Sequence, residues 1–214
     1  DKPLRLISIK DDFYKIDDGS PTDCIFLSLG NLFKEGFKPD LVISGINIGA
    51  NMGEDITYSG TASAAMEAVI HKIPAIAISQ VCQNRCQDIQ NGWEFELAKD
   101  TIVKLATRIL NNSFPLDERK FLNVNIPPIK PNECKGMKIT KAGFREYGTD
   151  SDRHINPRGE EYYWIGLHPL IWKASEDQSC DFEAIKENYV SISPIKLDMT
   201  SYDDLKNLEN WLNN

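Results

Sequence analysis

Leu41-Val42-Ile43-Ser44 runs directly into Gly45-Ile46-Asn47-Ile48-Gly49-Ala50-Asn51-Met52-Gly53-Glu54-Asp55. Tyr58-Ser59-Gly60-Thr61, an Ala-rich stretch to His71, and Pro74-Ala75-Ile76-Ala77-Ile78-Ser79 follow. The two outer runs are short, apolar and rich in β-branched residues, the pattern of strands buried on both faces. Between them, Ser59-Gly60-Thr61 opens a helix whose Ala62, Ala64, Ala65 and Ala68 allow close packing on a sheet. Strand, loop, helix and strand in this order make a βαβ unit, which requires a parallel sheet and a right-handed crossover. The expected fold class is α/β: a three-layer, Rossmann-like, mostly parallel sheet.

Upstream, residues 4–9 and 13–16 alternate as two short strands around Lys10-Asp11-Asp12, and the second ends in the turn signal Asp17-Asp18-Gly19-Ser20-Pro21. Thr22 or Asp23 is placed to cap a helix reaching Phe33, and Gly36 stops it. Downstream, residues 94–112 carry an amphipathic stripe of Phe95, Ala98, Ile102, Ala106, Ile109 and Leu110, and residues 121–126 read as a strand closed by Pro127-Pro128. From about Ile129 the chain turns to short β-like pieces at 136–141, 162–167, 171–173 and 189–197, then a final helix to Leu212 opened by Ser201-Tyr202-Asp203-Asp204. Two regions are therefore expected: an α/β core over 1–128, and a β-rich extension with a C-terminal helix over 129–214. The second is expected to act as an oligomerisation arm.

Composition narrows the functions. The 214 residues carry 24 Lys+Arg against 32 Asp+Glu, a net charge of −8, which argues against a general nucleic-acid coat or an anionic membrane surface as partner. With 41% hydrophobic and 26% charged residues the chain is an ordinary globular one, able to bury roughly 70% of its unfolded surface. No apolar run approaches the ~18 residues of a membrane helix. The chain begins Asp1-Lys2-Pro3, with neither an initiator Met nor a leader pattern. Cys24, Cys82, Cys86, Cys134 and Cys180 form an odd, scattered set, expected to be free thiols in the cytoplasm. Cys82 and Cys86 lack the further pair or nearby His of a zinc site.

The segment from Ser44 to Thr61 is the strongest site candidate. Its glycines match neither G-x-G-x-x-G nor a Walker A loop, yet Gly45, Gly49 and Gly53 let the backbone approach a ligand. It leaves the carboxyl end of a buried parallel strand, where open α/β sheets place ligands. Asn47 and Asn51 add neutral amides, and Ser59-Gly60-Thr61 offers hydroxyls and free N–H groups at a helix start, suited to phosphate. Glu54-Asp55 reads as a solvated acidic pair and Asp17-Asp18-Gly19 as a turn. His71, His154 and His168 make no triad spacing. Tyr162, Tyr163 and Trp164, with no basic patch beside them, read as strand core or subunit contact rather than a base-stacking platform.

Gly19-Ser20-Pro21-Thr22-Asp23-Cys24, Pro39 through Asn47, Gly49, Asn51, Gly53-Glu54-Asp55, Tyr58-Ser59-Gly60-Thr61 and Ile73 through Ser79 together resemble the survival protein SurE family. So do Asn156-Pro157-Arg158-Gly159, Tyr163-Trp164-Ile165-Gly166, Ile192-Ser193-Pro194, Leu197-Asp198 and Thr200. The resemblance implies a divalent-metal-dependent phosphatase, using Mg²⁺ or Mn²⁺ to hydrolyse nucleoside 5′- and 3′-monophosphates by metal-activated water. It implies Asn47 as a metal ligand, Asn51, Ser59, Gly60 and Thr61 as phosphate-binding residues, and a homodimer or homotetramer. The family opens with an Asn-Asp-Asp-Gly block whose aspartates hold the metal, and the chain resembles the family from the block that follows it. The 214 residues are accordingly expected to bind metal poorly and to be nearly inactive. Two other readings compete. One is a non-catalytic nucleotide- or phosphate-binding module without the acidic metal ligands. The other is a Rossmann-type cofactor enzyme, which lacks both its glycine motif and an acid at ribose-binding distance.

Overall fold

The structure is a computed structural model that describes residues 3–82, 95–149, 151–165, 171–172 and 179–213. Its centre is a five-stranded sheet. The strands that build it are β3 (Val42–Ile48), β4 (Ala75–Gln80), β5 (Lys120–Ile126), β6 (Met137–Ile139) and β9 (Val190–Lys196), in the order β3-β4-β5-β9-β6. β3, β4 and β5 are parallel, β9 runs antiparallel to β5, and β6 is parallel to β9. The expected α/β class and mostly parallel sheet are observed. Two of the five strands come from beyond residue 129.

Two helices cover the sheet. α2 (Gly60–Ile70) sets Ala62, Ala65, Ala68 and Val69 on Ala75, Ala77 and Phe121. α3 (Glu96–Asn112) sets Leu97, Ala98 and Ile109 on Ile76, Ile78, Leu122, Val124 and Ile126 of the opposite face. Alternate residues of β4 and β5 thus feed two separate cores, as a period of two requires. The α3 stripe differs from expectation at its ends. Leu97 and Thr101 are buried, while Leu110 is exposed.

The smaller elements explain the turns. β1 (Arg5–Lys10) and β2 (Phe13–Asp17) form an antiparallel hairpin, and Asp18 turns the chain at positive φ into α1 (Pro21–Leu27). The cap of α1 is Ser20, rather than Thr22 or Asp23. Pro21 is tolerated in the first turn, and Asp23 closes a capping box by accepting the Ser20 N–H at 2.7 Å. A π-turn over Ser28–Leu32 completes this helical stretch. β7 (Ser151–Ile155) and β8 (Glu161–Ile165) form a second hairpin outside the main sheet. Tyr162, Tyr163 and Trp164 are exposed on it, so the strand-core reading fails for them. α4 (Asp181–Lys186) was not evident from the sequence. α5 (Leu205–Leu212) ends the chain with Leu205, Leu208, Trp211 and Leu212 all exposed. Cys86, His168 and residues 166–167 and 173 lie outside the described residues.

Candidate active site

β3 carries an irregularity that matters. Ser44 pairs with Ala77 and Asn47 with Ser79, so Gly45 and Ile46 together oppose Ile78. Regular alternation would place Asn47 on the opposite face from Ser44. The extra residue returns Asn47 to the same face. Gly45 permits this. Its φ is +131°, and a Cβ there would lie 2.3 Å from the Ile78 carbonyl oxygen, so the backbones of β3 and β4 meet where no side chain fits.

Asn47 thereby joins a transverse polar row at the carboxyl end of the parallel strands. Asn47 pairs with Ser79, Ser79 with Asn125, and Asn125 with Ser191 of the antiparallel β9. Ser79, Asn125 and Ser191 are fully buried on the face that α2 covers. The next row places Asn123 opposite Ser193, and Thr140 Oγ1 bonds both Ser191 and Ser193 at 2.7 Å. Polar side chains at alternate positions of an otherwise apolar strand were the available sequence signal for Asn123 and Asn125.

The loop after β3 crosses these strand ends. Gly49 N–H donates to the Gln80 carbonyl at 2.9 Å, and Asn47 Nδ2 donates to the Gly49 carbonyl at 3.0 Å. That bond orients the Asn47 amide and leaves its Oδ1 as an acceptor. Asn51 is buried: its Nδ2 donates to Ser79 Oγ at 2.7 Å, and its backbone is held by Asn123 and Asn125. Met52 fills a satellite core with Val81, Cys180 and Phe182. Gly53 N–H donates at 2.8 Å to Asp181 Oδ2, whose Oδ1 accepts the N–H groups of Gly143 and Phe182. Burial pushes the Asp181 carboxyl above the ordinary range, against the pull of those three donors.

A 3₁₀ turn over Gly53–Tyr58 then leads to α2. Its Glu54-Asp55 pair is not simply solvated. Arg145 donates through Nη1 to both Asp55 oxygens at 2.7 and 2.6 Å, and through its backbone N–H to Glu54 at 2.8 Å. Tyr147 Oη adds a bond to Asp55, and burial together with that bond raises the Tyr147 pKa. The extended segment after β6 is clamped to the loop in this way.

Ser59 is the N-cap of α2. Its Oγ accepts the Ala62 N–H at 3.0 Å, leaving its own O–H proton to donate. Pro21 of α1 packs at Gly60, with ring carbons 3.3 Å from where a Cβ would stand. Thr61 is half-buried in the first turn. Asn47, Asn51 and the start of α2 therefore share the carboxyl edge of β3–β5. His71 caps the far end of α2 and bonds Glu67 at 3.1 Å, and His154 is exposed on β7. A cavity of about 180 Å³ between Lys72, Pro74, Phe114 and Lys120 lies at the opposite edge and contains none of these groups.

An amide oxygen such as Asn47 Oδ1 is a neutral donor of the kind that hard cations accept. Among the described residues no group of three His, Cys, Asp or Glu side chains stands ready to share such an ion.

The family profile described as Survival protein SurE matches residues 1–149. Over 212 residues the chain is 59% identical to the 5′-nucleotidase SurE of Sulfurovum sp. (strain NBC37-1), covering 99% of this chain and 80% of that one. It is 54% identical over 215 residues to the 5′-nucleotidase SurE of Helicobacter hepaticus, covering 99% and 81%. The crystal structure of the SurE protein from Aquifex aeolicus superposes with a TM-score of 0.78 at 40% identity, covering all of this chain and 81% of that one. With the polar carboxyl edge and the Ser59-capped helix in place, these matches show that the chain belongs to the SurE family.

Proposed function

We propose that the chain is a phosphomonoesterase acting on nucleoside 5′- and 3′-monophosphates, with Asn47 holding a divalent cation, Mg²⁺ or Mn²⁺, and Asn51, Ser59, Gly60 and Thr61 holding the phosphate. The observation that carries this reading is the bulge that turns Asn47 onto the face where α2 begins. A neutral oxygen ligand and a helix N-terminus with an unspent hydroxyl then meet one strand edge. The names of the relatives from Sulfurovum and Helicobacter hepaticus support the reaction class.

The chain's own groups have definite tasks. The Ser59 hydroxyl donates to a phosphate oxygen while Oγ still caps the helix. The N–H groups of Gly60 and Thr61 and the Thr61 hydroxyl supply further donors at the positive end of the helix dipole. Asn51, anchored through Ser79, keeps one amide proton for the ligand and fixes the loop behind it. Such preorganised donors favour the charge that gathers on the equatorial oxygens in the transition state. A bound divalent ion would supply charge neutralisation and a lowered pKa for water.

Asn47 cannot hold the ion unaided, so the 214 residues bind metal weakly and turn over slowly. The same chain preceded by the family's full upstream segment, which carries the Asn-Asp-Asp-Gly block, is the extended chain below, and it releases phosphate from AMP when Mg²⁺ or Mn²⁺ is added. In it, Asn47→Ala weakens metal binding in calorimetry and lowers turnover together. An unchanged metal titration removes Asn47 from the site. A second reading, a nucleotide-binding module without catalysis, draws on the missing acid cluster among the described residues. AMP binding without phosphate release by the extended chain favours it.

Two features concern the assembled protein. α5 exposes Leu205, Leu208, Trp211 and Leu212, and β8 exposes Tyr162, Tyr163, Trp164 and Ile165. These apolar surfaces suit packing of residues 129–214 on a second copy, giving a homodimer or homotetramer, and a 24 kDa species in gel filtration refutes this. Cys24, Cys82, Cys134 and Cys180 are free thiols, as suits the cytoplasm, and no described helix is long and apolar enough to cross a membrane.

A further inference from the structure

We propose that Asn125, assisted by Asn123, is a positioning residue that sets the loop for phosphate through the Asn51 peptide group. The inference rests on the phosphate-holding role given above to the Asn51–Thr61 segment. After Gly49 the loop leaves the β-ladder and crosses from β4 onto β5. There the Asn125 side chain does what a neighbouring strand would do. Its Oδ1 accepts the Asn51 N–H at 3.0 Å, and its Nδ2 donates to the Asn51 carbonyl at 3.0 Å. Asn123 Nδ2 donates to the same carbonyl at 2.9 Å, filling its second lone pair. Both asparagines are fully buried, two positions apart on one strand, and Asn51 is itself buried.

An apolar pair at these positions would pack well against α2 but would leave the Asn51 peptide unpaired. A buried polar network that is fully connected at one peptide specifies a single geometry there. The residue types are restrictive. Asp lacks the donor, Leu lacks both groups, and Gln places its amide one methylene further out. The clamp acts on the backbone between Asn47 and the start of α2, so its loss moves one set of ligands relative to the other. Among the described residues Asn123 Oδ1 is buried without a hydrogen-bond partner, and Ser193 stands opposite it in the register.

The test uses Asn125→Asp, Asn125→Leu and Asn123→Ala in the extended chain. An Asp at 125 is nearly isosteric. Protonated, it accepts the Asn51 N–H and donates an O–H to the Asn51 carbonyl, which restores both bonds. Ionised, it faces that carbonyl with oxygen alone. Burial raises the pKa of such a carboxyl. The register neighbours, Ser79 from β4 and Ser191 from β9, are uncharged. Asp181, Glu183 and Lys186 on α4, Glu67 on α2, and Glu54, Asp55 and Arg145 around the loop are common to every variant.

The readouts are kcat/KM for AMP from pH 5.5 to 8 and far-ultraviolet circular dichroism at each pH. Asn125→Asp should fall at least about tenfold below wild type at pH 8 and return to within about threefold at pH 5.5, as expected when a displaced ligand set is restored. Asn125→Leu should stay low throughout. Asn123→Ala, which removes one donor and keeps the Asn125 pair, should lose about threefold or more while folded. A wild-type-like pH profile for Asn125→Asp, or wild-type kcat/KM in Asn125→Leu, overturns the inference. If the position-125 variants unfold, Asn123→Ala decides, and unchanged kcat/KM there overturns it. An unmutated extended chain inactive on AMP at every pH refutes the nucleotidase reading instead.

Discussion

Replacing Asp181 tests how the loop is tied to the rest of the fold. The carboxylate is fully buried and accepts three backbone N–H groups, from Gly53 at 2.8 Å and from Gly143 and Phe182 at 2.9 Å. Each bond to an ionised acceptor is worth about 1.5–3 kcal/mol, and each buried donor left unpaired costs about 1–3 kcal/mol. Burial of the charge takes part of this back, as the raised carboxyl pKa records. Asp181→Ala should therefore cost about 3–5 kcal/mol. With a urea m-value of about 3 kcal/mol/M, the unfolding midpoint should drop by about 1–1.7 M. Gly53 and Gly143 approach so closely that a Cβ on Gly53 would stand 2.6 Å from the Gly143 carbonyl, so water has little room to replace the carboxylate. Amide exchange at Gly53 should accelerate along with the loss of stability.

The pH dependence has a definite sign. The folded pKa lies above the ordinary 3.8, so the native state binds the proton more tightly than the unfolded chain. That contribution is complete below 3.8 and is lost as pH rises through the folded value. Asp181→Asn has no such titration, so wild type's advantage over it should shrink as pH rises above 3.8 and through the raised folded value. A midpoint for Asp181→Ala within about 0.3 M urea of wild type would refute the reasoning.

Gly45→Ala should be among the most damaging single-methyl additions, since φ is +131° and the new Cβ meets the Ile78 carbonyl at 2.3 Å. Losses of about 3 kcal/mol or more in urea unfolding are expected, and a neutral result would contradict the β3–β4 approach. Ser59→Ala should lower stability by about 0.5–2 kcal/mol through the lost cap of α2, and should also weaken phosphate binding, whereas a cap-only role would leave phosphate titrations unchanged. At the base of the C-terminal helix, the Tyr202 hydroxyl and the Thr200 N–H hold the Asp198 carboxyl down to about 2. NMR titration of Tyr202→Phe should show that carboxyl returning toward 3.8, and an unmoved midpoint would remove Tyr202 as the main cause.

Local chemistry carried much of the architecture. The apolar runs at Val42 and Ala75, the serine before an alanine-rich helix, and the α3 stripe each act within a few residues. Each therefore shows as a pattern in the chain. The observed cap of α1, Ser20, lies two residues before Thr22 and three before Asp23, both of which are also good cap residues. Pro21 decided in favour of Ser20, since proline is tolerated only in the first turn. The grouping of Asn47, Asn51 and Ser59-Gly60-Thr61 at one sheet edge follows from their closeness in one loop and one helix start.

The partners of that loop were not legible. Asp181 reaches Gly53 across 128 positions, Arg145 reaches Asp55 across 90, and Asn125 reaches Asn51 across 74. The polar alternation of β5 singles out Asn125, but nothing local at it or at Asp181 names the distant peptide that each one bonds. Which donor meets which acceptor depends on strand register, and register is set by the packed sheet. The face of Asn47 shows this most clearly. Two-residue alternation in the chain would place it opposite Ser44, yet the extra residue opposing Ile78 returns it to the same side. A strand's periodicity is a property of its own backbone, but a bulge exists only against a neighbour. So the α/β class could be read from residues 41–79, and the direction in which the site faces came only with the assembled sheet.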